Sequence, residues 1–393
     1  MPRARGDDHD ARIVVLGAGA AGSVLVQALA TAGVPGPVLL VDDGTVPIED
    51  RVWASWVPFG RRDGDPAVSS SWRRLVVASE RGERVLALTR HRYVAVRGRD
   101  LRDITDDALR TVGGQRLDAH GHAIHDADGT AVVRTTAGDL RARLVLDSVG
   151  LLPPRRETAR GWMAFDGCEV VADRPVFDPD RMRLMDFRVP QRGGAAFAYT
   201  LPWTADRALV ELTRIGAGAE PAPTGADLGE HLDRTLGVGR YRVVRREAGV
   251  LPLRPRVRRP RSPHCLAIGA PAGLVRASTG YGYQRMRRDA ARIAAALARG
   301  ERPRGMRRSA RHEAMDAVLL DLVERDPATV VRSLELLFAR NPADLVLRFL
   351  DEDTSLAEEA RLVSSLPTAP FVAAALGTGL RAAYGSRSRK GEP

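Results

Sequence analysis

Residues 12–42 hold an apolar run, a GxGxxG turn, a helical stretch and a second apolar run closed by an acid, in that order. Few folds accept that succession. Arg12-Ile13-Val14-Val15-Leu16 is continuous enough to be a strand buried on both faces, and Gly17-Ala18-Gly19-Ala20-Ala21-Gly22 follows it directly. Here Gly17 allows a tight turn, Gly19 lets the backbone approach a pyrophosphate, and Gly22 lets the next helix sit close to the strand. Backbone N–H groups at the start of that helix face the phosphate charge. Ser23 to Ala30 carries the helix to a stop at Gly33, and Val38-Leu39-Leu40-Val41 delivers Asp42 where a ribose hydroxyl would be held. The expectation is a dinucleotide-binding βαβ unit, and a purely structural βαβ unit is the alternative.

A chain of 393 residues, 44% of them hydrophobic, buries a sizeable core and is long enough for two joined domains. The formal charge of +11 raises nucleic acid or anionic membrane as partners. Against nucleic acid stands the distribution, because Lys390 is the only lysine and the arginines are scattered through every segment. Denser arginine at 254–261 and 302–311 reads as solvated surface, with anionic lipid heads as the alternative partner. Cys168 and Cys265 form no disulfide framework and no metal-ligand spacing, so no metal site is expected and a reducing cytoplasm suits them. The charged start, residues 1–11, does not resemble a signal peptide, and no apolar segment reaches about 18 residues, so a spanning helix is not expected.

Beyond Asp42, the stretch Asp50 to Trp56 reads as a loop carrying two tryptophans, followed by strand-like runs at 74–78 and 84–88 and a helix ending near Gly113-Gly114. Strands between Gln115 and Arg143 suggest a small antiparallel layer with a hairpin turn at Asp128-Gly129. Leu144 to Gly150 returns to a buried parallel strand ending in Asp147 and Gly150, a pattern typical of strands that come back to a flavin nucleotide. Residues 151–258 read as an antiparallel substrate domain, 259–300 as a return to the nucleotide domain of residues 1–150, 301–385 as helical, and 386–393 as a disordered tail. In the return segment, Gly269, Gly273 and Gly280 would allow backbone close to an isoalloxazine ring, or belong to an ordinary loop. The expected fold is thus α/β, a two-dinucleotide-binding-type FAD flavoprotein with a Rossmann-like core, an antiparallel substrate domain and a helical C-terminus.

One strand carries the chemistry. In Ala208-Leu209-Val210-Glu211-Leu212-Thr213, alternation puts Leu209, Glu211 and Thr213 on one face and Ala208, Val210 and Leu212 on the other. A lone carboxyl on an apolar strand loses hydration in its charged form, so it keeps its proton and can donate it. Asp186, in Leu184-Met185-Asp186-Phe187, poses the same problem one strand earlier. For either acid, the alternative is pairing with an arginine.

These stretches together resemble the flavin-dependent lycopene cyclases. The resemblance rests on GxGxxG with Asp42, Asp50-Arg51-Val52-Trp53, Gly161 to Gly167, Met185-Asp186, Phe197 to Pro202, Val210 to Thr213, Glu247 to Pro252 and Ser278-Thr279-Gly280-Tyr281, in family order along nearly the whole chain. It implies an intramolecular lyase or isomerase that binds FAD, needs it reduced with NAD(P)H as reductant, and closes a β-ionone ring on a linear carotenoid without net redox change. It implies cofactor contacts at Gly17, Gly19, Gly22, Asp42, Arg51, Asp147, Gly150, Gly269, Gly273, Thr279 and Gly280. Glu211 and Asp186 become the candidate catalytic acids, and Tyr199, Trp203 and Tyr281 the rings facing a substrate cation. The implied partners are a lipophilic polyene and, peripherally, a membrane surface reached from the cytoplasm. The oligomeric state stays open.

The chain departs from the family at Leu212, where many members place a second acid. Alternation turns that position away from Glu211, so the donor is retained while ring type and substrate stay open. Other readings are a cyclase of another polyene, a flavin monooxygenase or dehydrogenase, and a membrane-associated binding protein. Against the redox enzymes stands Gly269-Ala270-Pro271, which lacks the acid those enzymes commonly carry in the second flavin loop.

Overall fold

A computed structural model describes residues 10–60, 65–152, 159–217 and 225–387. The expected βαβ unit is present as strand Ala11–Leu16, helix Ala20–Thr31 and strand Val38–Asp42, with the two strands parallel and Ile13 opposite Val38. Val24, Leu25 and Leu29 bury the helix against the sheet, where each large side chain contributes roughly 1.5–3 kcal/mol. The helix Tyr283–Ala298 covers the same face beside it.

The strand Gly138–Asp147 changes partners along its length. Its first half pairs antiparallel with Thr130–Thr135, and its second half lies parallel to Ala11–Leu16 and to Cys265–Ala267. The strands from 115 to 143 are therefore not a separate antiparallel layer. Gln115–Asp118 adds in parallel beside Val38–Asp42, and Gly121–Ala127 and Thr130–Thr135 extend the other edge of the same sheet. The expected hairpin turn is in place, with Asp128 and Gly129 both at positive φ.

The second sheet is built on the long strand Gly161–Ala172, flanked by Arg207–Gly216 and Tyr241–Leu253. Beyond Ala195–Pro202 and Arg181–Asp186 it takes in Arg74–Ser79 and Gly82–Ala87, joined parallel through Arg74–Ser79. This layer crosses the expected boundary at residue 150, because the apolar face of Leu75 and Val77 is buried with Leu184, Leu201 and Leu209. The stretch expected as a loop at 50–56 is largely strand: Val52–Pro58 pairs with His91–Arg97, and Val68–Trp72 pairs on the other side.

The C-terminus is helical as expected, with helices Ala310–Arg325, Pro327–Arg340, Ala343–Leu350, Leu356–Ser364 and Thr368–Arg387. Asp326 caps one of them ahead of Pro327, and Ser355 with Glu358 forms a capping box on another. Of the segment expected to be a disordered tail, residues 386 and 387 continue the last helix, and 388–393 lie outside the described residues. These helices meet the loop Arg276–Tyr281 through buried charges. Arg276 Nε lies 3.1 Å from Asp316 Oδ1, Arg308 binds the other Asp316 oxygen at 2.5 Å, and Glu352 joins Arg285 to Arg308.

Candidate functional site

A cleft of about 1070 Å³ runs from the glycine turn to the middle of the antiparallel sheet. At the turn, Gly17 has φ of 86°, a left-handed conformation that favours glycine. A Cβ on Gly22 would lie 2.0 Å from the Gly17 carbonyl oxygen, so only glycine lets the helix come this close. Behind Gly19 the helix starts without a side-chain cap and without an acid in its first turn, which leaves N–H donors and the positive dipole end open toward the cleft. Asp42 accepts hydrogen bonds from Ala18 N (2.6 Å) and Gly44 N (2.9 Å) and lines the same end. Arg116 also lines it, and its Nη2 is buried with no hydrogen-bond partner among the described residues. This end therefore offers donors suited to a diphosphate.

At the far end stands Glu211, 6% exposed. The expected alternation holds: Glu211 and Thr213 face the cleft while Val210 and Leu212 are buried in the apolar layer behind. Thr213 Oγ1 donates to Glu211 Oε1 at 3.2 Å, and Tyr199 on the neighbouring strand sits directly opposite in the ladder. Burial first, then the negative charge of Glu247, push the Glu211 carboxyl well above the usual carboxylate range, against the pull of bonds to Tyr199 and Thr213.

Aromatic hydroxyls complete the wall. Tyr93 and Tyr281 share a hydrogen bond of 3.0 Å, and Trp56 meets the Tyr281 ring edge-on at 4.7 Å. Burial holds the Tyr281 phenol up at about 12 and raises Tyr93 and Tyr199 further, so all three keep their protons at neutral pH. Arg51 stands nearby, its guanidinium 5.9 Å from the Phe165 centroid and Nη1 bonded to the Ala248 carbonyl at 2.7 Å.

The structure brings Gly17, Gly19, Asp42, Arg51, Tyr199, Glu211, Thr279, Gly280 and Tyr281 around this one cleft. Several other expected residues stand behind it. Asp147 is fully buried and accepts from the N–H groups of Val149, Gly150 and Leu152, shaping the loop that carries Ser148 and Val149 to the cleft. Gly269 and Gly273 face Ala21 and Val257, not the cleft.

Asp186 and Trp203 are not among the lining residues, and each has a physical reason to stand apart. Arg188 binds both Asp186 oxygens, at 2.8 and 2.6 Å. Burial raises that carboxyl, but the bonds and charge of Arg188 outweigh it and hold it below its ordinary range, so it has no proton to give near neutrality. Trp203 is engaged by Trp72, with centroids 5.9 Å apart, and by the Arg97 guanidinium 4.3 Å above its ring. The two tryptophans of 50–56 divide: Trp53 lines the cleft and stacks on Tyr283, while Trp56 is core.

Glu247, Tyr93 and Arg116 line the cleft without having been among the candidate site residues. Tyr93 and Arg116 carry no local signal. Glu247 does carry one, as the acid that opens a stretch of the family resemblance, Glu247 to Pro252, and it takes an inward position of the strand Tyr241–Leu253, but that stretch gave it no chemical role.

Comparison with known proteins agrees with this architecture. A family model described as lycopene cyclase protein matches residues 12–376. The chain is 28% identical to a lycopene beta-cyclase of Paracoccus sp. (strain N81106 / MBIC 01143), over 95% of this chain and 96% of that one. Among solved structures it resembles a geranylgeranyl bacteriochlorophyll reductase-like protein from Thermoplasma acidophilum, with TM-score 0.57, 14% identity and coverage of 92% and 97%. It also resembles a halogenase solved in complex with FAD, with TM-score 0.57, 13% identity and coverage of 88% and 82%.

Proposed function

Because the chain belongs to the lycopene cyclase family, we propose that it closes the end group of a linear carotenoid into a β-ionone ring. In this reading FAD is held reduced in the cleft and the substrate undergoes no net oxidation or reduction. The observation that carries the proposal is Glu211, a buried carboxyl held well above the usual carboxylate range and walled by Tyr199, Tyr93 and Tyr281 in the same cleft as the glycine turn.

The residues fit the cofactor. Gly17, Gly19 and the uncapped helix start would take the pyrophosphate, Asp42 the ribose, and Arg51, Thr279 and Gly280 the surroundings of the ring. When bound, reduced FAD supplies a negatively charged ring system that lowers the cost of positive charge on the substrate. NAD(P)H is the proposed reductant.

Glu211 transfers its proton to the terminal trisubstituted alkene, making one C–H bond and a tertiary carbocation. The neighbouring double bond attacks that centre and closes the ring, and the Glu211 carboxylate takes back a ring proton as the C–H bond breaks to restore an alkene. Electrons balance without oxidant or reductant. The neutral phenols of Tyr199 and Tyr281 lend their ring faces to the cation, at about 0.5–2 kcal/mol each. The burial of Glu211 behind these rings keeps away the water that would otherwise capture the cation.

Exposed Leu356, Val363, Val372 and Leu376 on the C-terminal helices support peripheral contact with the lipid phase that dissolves such a substrate. Among the described residues, no helix is long and apolar enough to cross a membrane.

Expression in a host that accumulates lycopene tests the function. The expected product is β-carotene, formed anaerobically with reduced FAD and without stoichiometric NAD(P)H consumption. Unchanged lycopene in the presence of folded, flavin-loaded protein rejects the proposal, and oxygenated product with consumption of NAD(P)H indicates a monooxygenase instead. The nucleotide end has its own test. Gly22→Val sets side-chain carbon against the Gly17 carbonyl, an overpacking cost of about 1–3 kcal/mol or more. The purified variant should lose most of its flavin absorbance.

A further inference from the structure

The strand Gly161–Ala172 places Gly167 opposite Glu211 on one side and opposite Glu247 on the other. Residues paired to the same position from both sides share a face and stand two strand spacings apart, roughly 9–10 Å between backbones. Their side chains can approach one another only if the position between them is empty. Gly167 leaves it empty: a Cβ there would lie 3.1 Å from Glu211 Cβ and Cγ and 3.4 Å from its Oε2.

The two carboxyls flank this gap on one face, with the charge of Glu247 acting on Glu211 across it, and their surroundings differ. Glu247 Oε2 accepts from the Val52 N–H and from Arg245 Nη1, both at 3.1 Å, while its Oε1 is buried without a hydrogen-bond partner among the described residues. Apart from Glu247, the partners of Glu211 among the described residues are the hydroxyls of Thr213 and Tyr199. Burial raises both carboxyls, but the charge and bond of Arg245 and the Val52 N–H pull Glu247 part of the way back down, while the hydroxyl partners of Glu211 leave it well above the usual carboxylate range.

We propose that Glu247 is a positioning residue for Glu211: the carboxyls share one proton across Gly167, with the charge kept on Glu247 and the proton on Glu211. The inference rests on the reading of Glu211 as proton donor. It explains how an acid survives at neutral pH beside a cleft entered by cofactor and substrate. Each of two buried like charges facing one another across a glycine opposes ionisation of the other, and the Arg245 anchor decides which one ionises. The other titratable or charged groups facing the pair are Tyr93, Tyr199 and Tyr281, which stay neutral, and Arg51, which lies on the Glu247 side. Behind Arg245 stands Glu169, bonded to its Nε at 3.2 Å, so Arg245 keeps an acid when Glu247 is changed.

The test is an infrared pH titration of the protonated-carboxyl band in the FAD-loaded protein, with Glu211→Gln as the blank that identifies Glu211. Exposed acids are ionised well below neutrality, so the band near neutral pH reports buried ones. In Glu247→Gln, which keeps an acceptor for Val52, the repulsion is gone. Loss of the Glu211 band should move to lower pH by about one unit, a tenfold fall in proton affinity. The basic limb of the cyclisation pH profile should move with it, and flavin content should not change. Gly167→Ala, which wedges the carboxyls apart, should move both in the same direction by less. A Glu211 band that titrates identically in wild type, Glu247→Gln and Gly167→Ala overturns the proposal. The titration needs no substrate, so a wild type that forms no carotenoid product rejects the function while leaving this measurement able to decide on the pair.

Discussion

Glu211→Gln should lower cyclisation by about 10²–10⁴-fold with flavin content and thermal stability unchanged. Glutamine keeps the shape of the side chain and its acceptor for Thr213 but has no transferable proton. Glu211 is buried, so water does not easily substitute as acid, and the phenols around it hold their protons too tightly near neutrality. The loss should appear in kcat and in kcat/KM alike, because the proton moves only on the way to the transition state. Carotenoid product measured by absorbance in a single-turnover assay with reduced FAD checks it. Near-normal turnover removes Glu211 from the mechanism.

The largest effect on stability is expected at Asp316, on the far side of the cleft loop. Its carboxylate is fully buried between Arg276 and Arg308. Burial raises the carboxyl, but the two guanidinium charges overcome that and hold it below its ordinary range. Asp316→Asn leaves both cations short of their counter-charge, and breaking a buried pair in this way costs about 3–5 kcal/mol. Urea unfolding should show it.

The pH dependence has a definite sign. The folded-state value lies below the unfolded one, so the contribution is present above the unfolded pKa, near 4, and is lost as pH falls through the depressed folded value. The wild type should therefore lose stability on the acid side more steeply than the variant does. The loop should loosen as well, because the Arg276 N–H donates to the Tyr281 carbonyl and the Arg276 carbonyl accepts from the Thr279 and Gly280 N–H groups. A raised KM would accompany the lower unfolding midpoint. A midpoint equal to wild type would show that the charges are dispensable to the fold.

Much of this was legible beforehand because its cause lies within a few residues. The nucleotide turn is a local pattern of glycines between apolar runs. The face of Glu211 follows from strand alternation alone, and the C-terminal helices announce themselves by abundant apolar positions between prolines such as Pro327 and Pro342. Even the separation of Asp186 from Glu211 had a local sign, since Arg188 stands two residues on from Asp186 while Thr213 stands two residues on from Glu211. The strand at Val52–Pro58 was not legible, because its polar and aromatic residues do not alternate and its pairing partner lies some forty positions away. The mixed sheet was hidden for a similar reason: one strand serves two neighbours of opposite direction, and no period records a change of partner.

The amino-acid order alone determined that a nucleotide turn would form and that one carboxyl would be buried on an apolar strand, because both depend on steric and hydrophobic preferences of adjacent residues. Only the tertiary structure decided which charges surround that carboxyl. Glu211, Gly167 and Glu247 are brought abreast by strand register across 80 residues of chain. Electrostatic interaction depends on distance in space and on the water excluded between groups, and neither quantity is written in sequence separation.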